Sequence, residues 1–183
     1  MKAHHSDRFK PSLHGTPVAA NTGKRILEMP NFIALETDMV RTLQNGGLDV
    51  NGQKPQRKIS TGAGNPCRHC LKDVPEGEEM LILAHRPFDR VHAYAETGPI
   101  FLCAKPCARG GNSVDLPTIL TTSPDYLVKG YSADEQIVYG TGEVVATEHI
   151  QAKVADVFNN PEVAFIHVRS ARNNCYQARI DRD

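Results

Sequence analysis

Four of the chain's five cysteines fall in two close pairs: Cys67-Arg68-His69-Cys70, then, after 32 intervening residues, Cys103-Ala104-Lys105-Pro106-Cys107. No other feature restricts the fold as strongly. C-x2-C and C-x3-C are ligand spacings of a structural zinc site, because a tight turn lets both thiolates of a pair face one ion about 2.3 Å away. The two pairs must then meet, with a strand or two between them. Asn65-Pro66 and Lys105-Pro106 are turn formers suited to such knuckles. Arg68 and Lys105 are placed to offset the charge of four thiolates. Three other assignments fit the same residues: a dithiol redox motif, ordinary disulfides, or small buried core thiols. The redox motif needs a helix N-terminus under the first pair to lower the thiol pKa. Pro75, five residues beyond Cys70, leaves no room for that helix. Sulfur separations decide among the rest: about 3.5–4 Å throughout means tetrahedral metal, and a scatter beyond ~7 Å means core thiols.

The rest of the composition sets the surroundings. With 183 residues, 40 % of them apolar and 14 of them glycine, the chain fits one core-forming domain. The opening MKAHHSDRFKPSLHG has no apolar leader core, and no run approaches the ~18 apolar residues of a membrane span. The expectation is a cytoplasmic protein in which thiols act as ligands, nucleophiles or core residues. Lys+Arg and Asp+Glu balance at 21 each, which argues against a general nucleic-acid binder. The balance is uneven along the chain: residues 1–60 hold nine basic and five acidic residues, and residues 61–183 hold 12 and 16.

Residues 1–25 read as a polar, loosely ordered arm carrying His4, His5 and His14, and 26–183 as a single α+β domain. Thr37–Gln44 reads as a short helix capped by Thr37 and stopped by Asn45-Gly46-Gly47. Residues 46–66 read as a long loop with little core before it. Apolar runs at 80–84, 100–102, 126–128, 137–139, 163–168 and 176–180 predict short strands. Ile150, Val154, Val157 and Phe158 form one stripe of a core-facing helix near 148–158. Strands outnumber helices without alternating with them, so the fold class is α+β with a mainly antiparallel sheet.

The last segment predicts a β-hairpin, with Ala171-Arg172-Asn173-Asn174 as a loop pairing Ser170 with Cys175. That register gathers Phe165, His167, Arg169, Tyr176, Ala178 and Ile180 on one face, and a one-residue shift would regroup them. His167, Arg169 and Tyr176 together suit an anion: a guanidinium fork, a proton carrier and a hydroxyl donor. The plain alternative is a set of satisfied polar side chains at a strand end. Cys175 has no close cysteine partner and would need a base such as His167 to act as a nucleophile. Glu96, in the turn before the strand at Ile100, can serve as base or ligand or simply face solvent. Gly140-Thr141-Gly142 lacks the helix of a phosphate loop.

Taken together, Asn65-Pro66-Cys67-Arg68-His69-Cys70-Leu71, Pro87-Phe88, Tyr94-Ala95-Glu96-Thr97-Gly98-Pro99-Ile100-Phe101, His167-Val168-Arg169-Ser170, Cys175-Tyr176, Arg179 and Arg182 resemble a bacterial family known as domain of unknown function 1203. The likeness runs from about Pro55 to Arg182. It implies one cytosolic domain and transfers no activity. It also implies that zinc belongs to a subgroup: relatives carry His in place of Cys103, and other branches lack the second cysteine of the first pair. Cys67, Arg68, Cys175, Tyr176 and Arg179 are then the residues the family would share.

Two main functions compete. One is a binding or interaction domain with structural zinc on Cys67, Cys70, Cys103 and Cys107, and a small anion or a protein as partner. The other is a small enzyme or anion-binding protein that uses His167, Arg169, Cys175 and Tyr176, with Arg68, Glu96 and Arg179 as binding residues, on an acidic or phosphorylated small molecule. A third, nucleic-acid binding through the basic first third, rests on dilute charge typical of a solvated surface.

Overall fold

The structure, a computed structural model, describes residues 31–182. The arm expected at 1–25 lies outside the described residues. The chain forms two antiparallel sheets.

The smaller sheet is built on β3 (Glu79–His85) and β4 (Gly98–Cys103), paired from Met80–Cys103 to His85–Gly98. Met80, Leu81, Leu83, Ile100 and Leu102 are buried, as the apolar runs require. Helix α1 (Thr37–Gln44) belongs to the same core through Val40 and Leu43. Its span matches the sequence reading, but Glu36 occupies the N-cap position and makes no side-chain cap. Thr37 instead places its hydroxyl 3.0 Å from His69 Nε2. Strand β2 (Gln56–Ile59) lies inside the stretch expected to be a loop and pairs with β3. All four of its residues are exposed, so it carries no alternation for a sequence to show. The expectation of little core before residue 46 is also corrected, since Phe32 and Val40 are fully buried.

The larger sheet has the order β5-β1-β9-β8-β6-β7. Its strands are β1 (Asn31–Ile33), β5 (Gly111–Ser113), β6 (Asp125–Tyr131), β7 (Glu143–Ala146), β8 (Phe165–Ser170) and β9 (Tyr176–Asp181). The run at 137–139 forms only a single bridge, Ile137 to Tyr131. Helix α2 (Ile150–Val157) follows a 3-10 turn at Thr147–His149 and lies within the expected 148–158 helix. Ile150, Val154 and Val157 bury against Ile166, Val168, Ala178, Ile180 and Phe32. Each of the three stabilises the fold by about 1.5–3 kcal/mol.

The β8–β9 hairpin contains one departure that decides which residues face the site. Ser170 and Cys175 pair as expected, through Ser170 N–H to Cys175 O at 2.9 Å, and Arg169 pairs with Tyr176. Between Arg169 and Val168 the register shifts, so Val168 meets Ala178 with Gln177 as the extra residue of a bulge. The expected face is therefore corrected beyond Tyr176. Ala178 and Ile180 join the core with Val168 and Ile166, and Arg179 comes opposite His167. The face away from α2 thus carries Phe165, His167, Arg169, Tyr176 and Arg179, joined by Lys129 and Tyr131 of β6. The segment between β3 and β4 folds over this face, with Phe88 packed edge-on to Tyr131 and His167.

Candidate functional site

The first cysteine pair sits on a tight reversal of residues 65–74. Cys67 N–H donates to Lys72 O at 2.9 Å, Leu71 N–H to Cys67 O at 3.0 Å, and Val74 N–H to Asn65 O at 2.9 Å. Leu71 takes the left-handed conformation, φ 54°, directly after Cys70. A non-glycine residue there is strained by roughly 1–2 kcal/mol, and burial of the Leu71 side chain in the core offsets that strain. Gly110 is needed beside it, because a Cβ at that position would lie 2.4 Å from Cys70 O.

The second pair closes from β4. Cys103 ends the strand, and its N–H donates to Cys67 Sγ at 3.3 Å. Helix α1 clamps the turn that follows: Gln44 Nε2 donates to Cys103 O at 2.8 Å and to Lys105 O at 2.9 Å, and Arg41 Nη2 to Cys107 O at 2.7 Å.

All four Sγ atoms lie within 4.8 Å of one another, with Cys70 and Cys103 at 4.0 Å. Tetrahedral zinc with Zn–S near 2.3 Å needs sulfurs about 3.8 Å apart. Every cysteine of the chain is free, so the cluster is not a pair of disulfides. Core thiols scattered beyond ~7 Å are likewise excluded. Electrostatics agree with a cation site. Hydrogen bonds from Cys103, Cys107 and Cys70 hold the Cys67 thiol well below its usual range. Sharing of that small space with Cys107, Cys67 and Cys70 pushes the Cys103 thiol far up. Cys70 is likewise lowered and Cys107 raised, so the crowded thiols do not all ionise alike, and a cation among them would favour the thiolate form of each.

His69, which the sequence reading passed over, stands behind the cluster. It is fully buried, with Nδ1 3.1 Å from Cys107 Sγ and Nε2 against Thr37. This is the outer-shell contact that fixes a ligand's orientation. Its signal was present, a histidine inside C-x2-C, but spacing rules count ligands only. The cations expected to offset the thiolates point elsewhere. Lys105 Nζ pairs with Glu78 at 2.7 Å. Arg68 turns to the hairpin, donating from Nε to Tyr176 O at 2.8 Å and from Nη1 to Pro66 O at 2.5 Å. Burial pushes the Arg68 pKa down to about 10, though nearby Cys175 and Cys67 favour its charge.

The hairpin residues assemble as a second group. His167 is completely buried, ringed by Phe88, Tyr131, Phe165 and Tyr176 at centroid distances of 4.8–5.1 Å. Arg169 is also buried, with Nε donating to Asn174 O and Oδ1 and Nη1 lying 3.1 Å from Glu96 Oε2. Glu96 further receives Lys129 Nζ at 2.8 Å and Tyr131 OH at 3.3 Å. Burial alone would raise the Glu96 carboxyl, but Lys129 and Arg169 outweigh it and hold it below the usual range. His85 reaches the same place from β3, its ring 5.6 Å from that of Tyr176. Arg179 lies over Phe165 and pairs with Asp181. Cys175 falls on the turn, with its thiol toward Asn173 O at 3.7 Å. It stands apart from the other four cysteines and bonds to neither histidine among the described residues. His85, Lys129 and Tyr131 were not legible as site residues, because long-range pairing alone brings them beside His167.

These features define a β-rich α+β domain with a four-cysteine metal-binding arrangement. The chain belongs to the family described as Protein of unknown function (DUF1203), whose model matches residues 64–182. Neither a curated protein nor a solved structure matches it. No helix of the described residues is long and apolar enough to cross a membrane.

Proposed function

We propose that this protein is a cytoplasmic binding domain in which a structural zinc ion on Cys67, Cys70, Cys103 and Cys107 fastens the 65–74 reversal to the end of β4 in the small sheet. The observation that carries the reading is the gathering of four free sulfurs within 4.8 Å by two segments 36 residues apart. Four thiolate ligands fill a tetrahedral shell, so the ion would stabilise the fold and leave no open position for substrate. Within the chain's own structure, Gln44 and Arg41 hold the second knuckle, and His69 orients Cys107. Thiols in this arrangement suit a reducing compartment, which supports the cytoplasmic assignment. Its partner would be a small anion or a protein.

Metal analysis of tag-free protein is expected to find about one zinc per chain, and less than about 0.2 sinks the idea, because structural zinc is tightly held. Cys70→Ser is expected to lower the zinc content and the unfolding midpoint together. Iron in zinc's place, seen as colour and thiolate charge-transfer bands, would keep the four-sulfur site and overturn the choice of metal.

A further inference from the structure

The face of the large sheet beneath residues 86–97 carries more hydrogen-bond donors than acceptors. Arg169, His167 and His85 are all at least nine-tenths buried. Both ring nitrogens of His167, Nε2 of His85 and Nε of Arg86 have no partner, and Arg169 Nη1 has no aligned acceptor. Buried polar groups are nearly always partnered, so four side chains at one junction with idle nitrogens indicate a site built for something else. The charges point the same way. Lys129, Arg169, Arg179, Arg86 and Arg68 surround the two imidazoles, and the carboxylates facing them are Glu96 and Asp181.

Glu96 shows what chemistry the cradle accepts. Its carboxylate takes Lys129 Nζ at 2.8 Å, lies 3.1 Å from Arg169 Nη1, and receives Tyr131 OH at 3.3 Å and Asn174 Nδ2 at 3.5 Å. Three hydrogen-bond donors from β6 and the hairpin turn, with the Arg169 guanidinium of β8 in ion-pair range, thus converge on one planar carboxylate that reaches in from the β3–β4 segment. Glu96 is also the open end of the group, with its side chain 29 % exposed against 3 % for Arg169. The aromatic ring around His167 supplies apolar walls.

We propose that this cradle is a binding site for a small organic carboxylate, and that Glu96 occupies the anion position until the ligand displaces it. Arg169 and Lys129 take the carboxylate, and His167 and His85 offer their idle nitrogens to the rest of the molecule. The proposal rests on the hairpin face alone and stands whether or not the cysteines hold zinc.

The test is titration of the full chain with acetate, succinate, citrate and inorganic phosphate at constant ionic strength, read by calorimetry and by the His167 ring resonances. Removing the tethered competitor in Glu96→Gln is expected to tighten carboxylate binding about tenfold or more, since a site blocked for most of the time binds with reduced apparent affinity. Adding Arg169→Met to that variant is expected to abolish the gain. A folded Glu96→Gln protein that binds carboxylates no better than wild type overturns the proposal, as does binding of phosphate alone. If Glu96→Gln does not fold, wild type decides. Shifts of the His167 resonances with succinate that chloride does not produce support the site. Equal response to both salts means that the cradle holds only water, and overturns it.

Discussion

His85 and His167 are neutral imidazoles in a basic neighbourhood, and that makes the molecule sensitive to acid. Burial pushes His85 down from 6.5 to about 4, with Arg68, Arg86 and Arg169 adding repulsion. His167 lies well below its usual value for the same reason, desolvation first and then Arg169, Arg179, Lys129 and His85. Above pH 6.5 both rings are neutral folded or unfolded, and no penalty exists. As pH falls below 6.5, the unfolded chain takes up protons that the folded chain refuses, so stability declines down to about pH 4 for His85. The whole drop attributable to His85 is about 3 kcal/mol at 1.36 kcal/mol per pH unit. Urea unfolding of His85→Phe between these limits should show a shallower decline than wild type; parallel curves would refute the assignment. The comparison holds the cysteine cluster constant, so any acid response of its thiols cancels. None of this was legible at the level of single residues. A histidine among apolar neighbours in Met80–His85 looks like any other strand end until its cross-sheet surroundings are known.

At the scale of elements, Arg68 ties the cysteine knuckle to the hairpin. It is 2 % exposed and spends its donors on two carbonyls, Tyr176 O and Pro66 O. Arg68→Met would leave both carbonyls buried without donors, a loss of about 3 kcal/mol or more. Arg68→Lys keeps the charge but has no rigid fork and should recover little. Chemical denaturation of both variants tests this, and a Lys variant as stable as wild type would show that charge alone matters. The elements themselves were readable where periodicity is strong. The 148–158 stripe, the β3 and β4 runs and the hairpin turn all stand in the structure, and Thr37–Gln44 matches to the residue. The bulge at Gln177 was not readable, because no local preference marks it, and it alone moved Arg179 to the His167 side. Strands β2, β5 and β7 escaped for a related reason: they are short edge strands whose pairing, not their composition, makes them strands.

For the whole molecule, the family match at 64–182 leaves out β1, α1 and β2, which the fold uses. Strand β1 lies between β5 and β9, and Phe32 is fully buried in the core of the large sheet. Helix α1 supplies the clamp on the second knuckle. A fragment of residues 64–182 should therefore lack a cooperative thermal transition, whereas the full chain should show one; a sharp transition in the fragment would contradict this. The cysteine pairs, by contrast, announced their meeting from spacing alone, since their chemistry works only at short range. The placing of β1 also bears on how the protein is made. Its partner β9 lies about 150 residues further along, so at roughly 5–20 residues per second the ribosome takes about 7–30 s to deliver it. All four cysteines of the cluster have been synthesised by residue 107. The small sheet can thus settle early, while Phe32 waits, uncovered, for the last strand to arrive.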